Sequence, residues 1–104
     1  MEKVIRDGKV AVLVSHGFGA GWYSWHYKEA LLFHPKIVEL VEQNKHSEIT
    51  EKLCQELLGT DEYICVLGVD GLSIHWLPIG TAFEINEYDG AESLRAIADL
   101  VLVA

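Results

Sequence analysis

The residues best suited to chemistry lie in one stretch, Ser15-His16-Gly17-Phe18-Gly19-Ala20-Gly21-Trp22-Tyr23-Ser24-Trp25-His26. Gly17, Gly19 and Gly21 let backbone N–H groups converge on a negative charge, as an oxyanion hole requires. His16 and His26 stand near its two ends, and an imidazole can move a proton near neutral pH or bind a metal. A second group, Glu84, Glu87, Asp89 and Glu92, offers carboxylates, with Glu87 and Asp89 alternating onto one face. Paired carboxylates can serve as general acid and base. A solvated turn at Asp89-Gly90 accounts for the same residues without chemistry.

Val12-Leu13-Val14-Ser15-His16-Gly17-Phe18-Gly19 resembles the oxyanion-loop segment of the α/β-hydrolase family, where a strand runs into a His-Gly turn and a Trp follows, as Trp22 and Trp25 do here. The likeness stops there. The chain has no Gly-x-Ser-x-Gly nucleophile elbow, and its 104 residues fall far short of such a sheet. The glycine spacing also departs from the dinucleotide fingerprint Gly-x-Gly-x-x-Gly, which opens a helix. An aromatic run, Trp22 to Tyr27, follows instead, and such residues form helices poorly. The five histidines, His16, His26, His34, His46 and His75, show no metal-ligand spacing. His16, His26 and Glu87 or Asp89 could assemble a metal set, and His16 or His26 with Glu87 or Asp89 could serve a small hydrolase or transferase. The leading expectation is no cofactor, no metal and no catalysis.

Recognition explains the loop better. Phe18, Trp22, Tyr23, Trp25 and Tyr27 crowd into ten positions, too many to face one small core. Two readings stand open. Trp22 and Trp25, three apart, could plug the end of a sheet, or some of the aromatics could form a flat contact surface.

The elements that must carry this loop are legible in outline. Val10-Ala11-Val12-Leu13-Val14 reads as a central strand, covered on both faces, after a possible short strand at Lys3 to Arg6 and a turn at Asp7-Gly8. Glu29 to Phe33 is ambiguous. Pro35 opens a helix with Ile37, Val38, Leu40 and Val41 on one face, closed by Asn44 and Lys45. Ser47 caps a second helix that ends at Gly59, so the pair reads as a helical hairpin. Three strands follow, Tyr63 to Leu67, Leu72 to Leu77 and Ala82 to Tyr88. In the tail, Leu94, Ile97, Ala98 and Val101 keep helical spacing while Leu100 to Val103 would suit a strand. Segregated helices and consecutive strands predict a single α+β domain over 1–104, with a mixed or antiparallel sheet and the helical hairpin on one face.

Composition excludes some partners. The formal net charge is −8, and Lys36, Lys45 and Lys52 are scattered among acidic residues, so direct nucleic-acid binding is not expected. No apolar run reaches the roughly 18 residues of a membrane span. The start carries no long apolar stretch of a signal peptide. Cys54 and Cys65 sit in apolar patterns and read as buried thiols of a reducing compartment, and the cytoplasm is the expected address. Half the residues are hydrophobic, rich for so small a monomer, which suggests that a second copy covers part of the surface.

The opening strand with Gly17-x-Gly19-Ala20-Gly21-Trp22-x-x-Trp25 resembles a family of small bacteriophage and prophage proteins. Leu32-Phe33-His34-Pro35-Lys36-Ile37-Val38 is similar too, as is Trp76-x-Pro78-x-Gly80-Thr81-x-Phe83-x-Ile85-x-Glu87-Tyr88-Asp89-Gly90. In that family a Pro often stands in place of His16 and an Asp in place of His34, which argues against His16 as a shared catalytic group. The resemblance brings no activity with it. It implies a phage-derived protein in a bacterial cytoplasm, binding a host or phage protein or a small nucleotide-like ligand, with a possible counter-defence role. The expected contact residues are His16, Gly17, Gly19, Gly21, Trp22, Tyr23, Trp25, Trp76, Glu87 and Asp89. The aromatics would supply apolar contact, the loop N–H groups would take an anionic group, and Glu87 would orient it.

Overall fold

The computed structural model describes residues 2–17, 19–96 and 102–104. The fold is α+β with antiparallel sheets. Strands β1 (Ile5–Arg6), β2 (Lys9–Ser15) and β3 (Leu72–Pro78) form one sheet in the order β1-β2-β3. Strands β4 (Ala82–Tyr88), β5 (Ala91–Ala96) and β6 (Leu102–Val103) form a second, in the order β5-β4-β6. Two three-stranded sheets thus replace the single sheet expected.

β2 is the central strand of its sheet, and Val10 to Val14 are buried without a break. Helices α1 (Ala30–Phe33) and α2 (Pro35–Glu42) pack on β2 and β3. Phe33 of α1 meets Phe83 of β4 edge to face at 6.3 Å, which joins the helices to the second sheet. Two Asp-Gly pairs make the tight hairpins. Asp7-Gly8 links β1 to β2 and Asp89-Gly90 links β4 to β5, with all four residues at positive φ as a type I′ turn demands.

Pro35 opens α2, with His34 Nδ1 accepting the Lys36 N–H. Asn44, in the left-handed region, lets the Lys45 N–H reach back to the Leu40 carbonyl and close it. The second long helix, α3 (Glu51–Leu58), starts later than Ser47 predicts. Thr50 is its cap, accepting the Leu53 N–H, and His46–Glu48 is a separate turn of 3-10 helix.

The strand expected at Tyr63 to Leu67 is not formed. Its buried backbone is satisfied by side chains instead: the Ile64 N–H donates to Glu51 Oε2 and the Cys65 N–H to His26 Nε2. In the tail, strand geometry prevails over Ala91–Ala96, and positions 97–101, on which the helical spacing depended, lie outside the described residues. Both cysteines are free and buried, and burial pushes the Cys54 thiol up to about 11. Among the described residues, no helix is long and apolar enough to cross a membrane.

Candidate functional site

The loop after β2 is organised by a residue from the other sheet. Glu92, on β5, is 2% exposed. Its Oε1 accepts the Ser15 N–H at 3.1 Å. Its Oε2 accepts the Trp22 N–H at 2.9 Å, the Ser24 N–H at 2.8 Å and the Ser24 hydroxyl at 2.6 Å. Four donors on one buried carboxylate make a charge-assisted network in which neither oxygen is left without a partner. The loop therefore does form a nest of N–H groups for an anion. Its occupant is the chain's own Glu92, and the donors are the amides of Ser15, Trp22 and Ser24, none of them a glycine of the expected set; the Gly19 amide serves the Asp89 carbonyl instead.

The β4–β5 hairpin puts Glu92 there. Its type I′ turn sets Glu87 opposite Glu92, Ile85 opposite Leu94 and Phe83 opposite Ala96. The turn also touches the loop directly: the Gly19 N–H donates to the Asp89 carbonyl at 2.6 Å. Gly90 lies so close to the Ala20 backbone that a Cβ has no room, and Gly68 crowds the Ala20 carbonyl in the same way. The close approach expected of the loop's own glycines is thus made by glycines that pack onto the loop. Within the loop, Gly19 takes a positive φ of 93°, and Gly21 leaves space for the Trp25 ring. Glu87 Oε1 accepts the Gly90 N–H at 2.7 Å, so Glu87 holds the turn.

The aromatics divide into two groups. Trp22 is 1% exposed and its indole N–H donates to the Leu31 carbonyl, so it is core; Tyr23 is buried as well. Both were expected on a contact surface, and both are needed inside. Trp25 is 45% exposed and Tyr27 76% exposed. Tyr27 has φ 55°, a left-handed conformation that costs a residue with a Cβ about 1–2 kcal/mol. Its N–H returns to the Tyr23 carbonyl at 2.7 Å, closing the short 3-10 helix Tyr23–Trp25. Phe18 lies outside the described residues. Trp76 belongs elsewhere. It pairs with Ala11 in the ladder and lies under the Arg6 guanidinium, which is itself paired with Glu42 of α2, whereas the loop leaves β2 beyond Ser15 and Leu72.

The histidines separate too. His26 accepts the Cys65 N–H at 3.0 Å and packs against Tyr63. His16 meets His75 of β3, Nε2 to Nε2 at 2.9 Å. Among the described residues no hydrogen bond links His16, His26, Glu87 and Asp89 to one another through their side chains, so the set imagined for a metal or an acid–base pair is not assembled. Burial holds the His26 imidazole below its usual range, with Lys28 adding to the effect and Glu92 opposing it. Burial and the neighbouring His16 lower His75 similarly. A lowered imidazole binds fewer protons folded than unfolded. Stability is then full above the ordinary histidine value of about 6.5 and falls as pH drops below it. The urea midpoint is expected to decline from about pH 7.5 to about pH 5.5, and the double variant His26→Gln/His75→Gln to flatten that decline. An equal slope in the variant would contradict this origin.

Glu92 carries the arrangement, and the sequence placed it only within a group of carboxylates, not against the loop. For Glu92 a signal existed: strand alternation sets it on one face with Leu94, the face that also carries Phe83 and Ile85.

Comparison with protein-family models, with curated proteins and with solved structures finds no match. The functional reading therefore rests on the loop itself.

Among the described residues, two surface depressions lie on other elements, one beside Gln55, Gly59 and Asp61 at the end of α3 and one between Arg6, Glu42 and Trp76. What the described part of the loop region presents to solvent is aromatic. Tyr63 adjoins it through His26. Leu67 precedes Gly68, which packs on Ala20, and Tyr88 precedes the turn that binds Gly19. All three are exposed, as are Trp25 and Tyr27.

Proposed function

We propose that this protein is a non-enzymatic binding protein that docks another protein through the apex of the 16–27 loop, and that a second copy of the chain is one such partner. The observation that carries the reading is Tyr27. A tyrosine held in a left-handed conformation costs stability, and for it this exposed ring returns an edge-to-face contact with Tyr23 at 5.6 Å. Strain of this kind persists where surrounding structure enforces it, and it gathers at binding sites. The surrounding structure here is the 3-10 turn Tyr23–Trp25, which the Tyr27 N–H closes and whose Trp22 and Ser24 amides Glu92 holds.

A protein surface suits the apex better than a phosphate group, because the Trp22 and Ser24 amides already serve Glu92 and the Gly19 amide serves the Asp89 carbonyl. Rigid exposed aromatics give contact area at small entropic cost, the property that makes Trp and Tyr interface anchors. The resemblance to phage proteins supports further partners among the proteins of a bacterial host, in the counter-defence setting that resemblance implies.

The test is mass in solution by light scattering. The wild-type chain at micromolar concentration is expected to give a mass above that of one chain. The double variant Trp25→Ser/Tyr27→Gly is expected to give one chain with no loss of folding stability, since glycine relieves the positive φ. A wild-type monomer, or a variant that assembles as well as wild type, would overturn the self-pairing.

A further inference from the structure

The chain contains one histidine pair brought together from distant positions, and the binding reading does not use it. We infer that His16 and His75 form a two-histidine chelate for a late first-row divalent ion such as Zn2+, Ni2+ or Cu2+. His75 stands opposite Val12 in the β2–β3 ladder, and His16 lies just past the end of β2, its N–H held by the Gly71 carbonyl at 3.1 Å. Four positions separate His16 from Val12, yet the two rings meet.

Their geometry is close to what a metal asks for. The Nε2 atoms are 2.9 Å apart and the ring centroids 5.1 Å apart, with the planes tilted by 45°. Two imidazoles on a tetrahedral ion, with metal–nitrogen bonds of about 2.0–2.1 Å, place their nitrogens about 3.3 Å apart and their centroids about 5.2 Å apart. The centroids already sit at that distance. The rings now face each other nearly head-on, so each must also turn until its axis lies about 35° off the line between the nitrogens, which separates them by about 0.4 Å with the centroids in place; the χ2 torsion that turns the ring is soft in histidine.

Metal-free, the contact must be an N–H···N hydrogen bond, because two bare lone pairs or two N–H groups would repel at this distance. One ring then donates from Nε2 and the other accepts. Binding an ion moves that one proton to Nδ1 of the donor ring, so that both Nε2 atoms present lone pairs. Nothing is oxidised or reduced. His16 is exposed, so an ion can enter from solvent and keep its remaining positions for water or a partner's donor. The net charge of −8 also draws cations. Late first-row ions favour imidazole nitrogen, whereas Mg2+ and Ca2+ favour oxygen, so discrimination against the latter is expected.

The experiment is calorimetric titration of ZnCl2, and separately NiCl2, into untagged protein at neutral pH. Histidine ring resonances are followed by NMR in the same samples. One ion per chain is expected, with the His16 and His75 signals moving first. His16→Gln and His75→Gln should each weaken binding at least tenfold, while His34→Gln should not. The NMR readout needs only wild-type protein, so a poorly folded variant leaves the inference testable. No saturable binding, unchanged affinity in the two variants, or first movement of His34 or His46 would overturn it. Because the readout is neither assembly nor partner capture, failure here is distinguishable from failure of the docking reading.

Discussion

Replacing Glu92 with Ala is expected to lower the unfolding free energy by about 3–5 kcal/mol, as removing one side of a buried charged network does. The substitution strands three N–H groups and a hydroxyl, those of Ser15, Trp22 and Ser24, at sites that are buried or partly buried. It also cuts the tie between the two sheets at the point where the loop leaves β2. A domain of this size has roughly 5–15 kcal/mol of stability in total, so the variant stands near the edge of folding. Glu92→Gln is the sharper comparison. It keeps the shape but replaces one acceptor oxygen with an NH2 group that faces N–H donors, so it too is expected to destabilise. Urea denaturation of both variants measures the effect. A loss below about 1 kcal/mol in Glu92→Ala, the scale of a single ordinary hydrogen bond, would mean that the carboxylate does not hold the loop.

The two loop tryptophans, three residues apart, are expected to behave in opposite ways. Trp22→Ala removes a fully buried indole and leaves the Leu31 carbonyl without its donor, for an expected cost of about 3–5 kcal/mol. Trp25→Ala trims a half-exposed ring that rests on Gly21 and should cost under about 1 kcal/mol. Denaturation midpoints decide between them. Equal losses in both variants would mean that Trp25 is core as well, and that the apex has no spare aromatic to offer a partner.

That contrast shows how far the sequence could be read. Local rules identified β2, whose five apolar residues in a row fit a strand covered on both faces, and they identified both Asp-Gly turns. They identified the start of α2 at Pro35 and the ends of both long helices at Asn44 and Gly59. Each of these depends on neighbours in the chain. The misread segment at Tyr63 to Leu67 has strand composition, but its N–H groups at Ile64 and Cys65 were claimed by Glu51 and His26, contacts that no local pattern encodes. The same applies to the site. The sequence pointed to the loop and to an anion at its glycine-rich backbone, whereas the amides that hold one are those of Ser15, Trp22 and Ser24. It could not show that the anion was Glu92, because 68 to 77 positions separate that residue from the donors it binds. Nor could spacing show which aromatics turned inward. Trp22 and Trp25 differ only in what the rest of the chain brings against them.

The binding reading requires a loop built before any partner arrives, and amide hydrogen exchange in dilute protein tests that requirement most directly. The Ser15, Trp22 and Ser24 amides are expected to exchange within about tenfold of the slowest β2 amides, because opening them means breaking the Glu92 network. In Glu92→Gln the same amides should lose protection first. Exchange of these three at the rate of an unstructured peptide in the wild-type protein would contradict a pre-built loop.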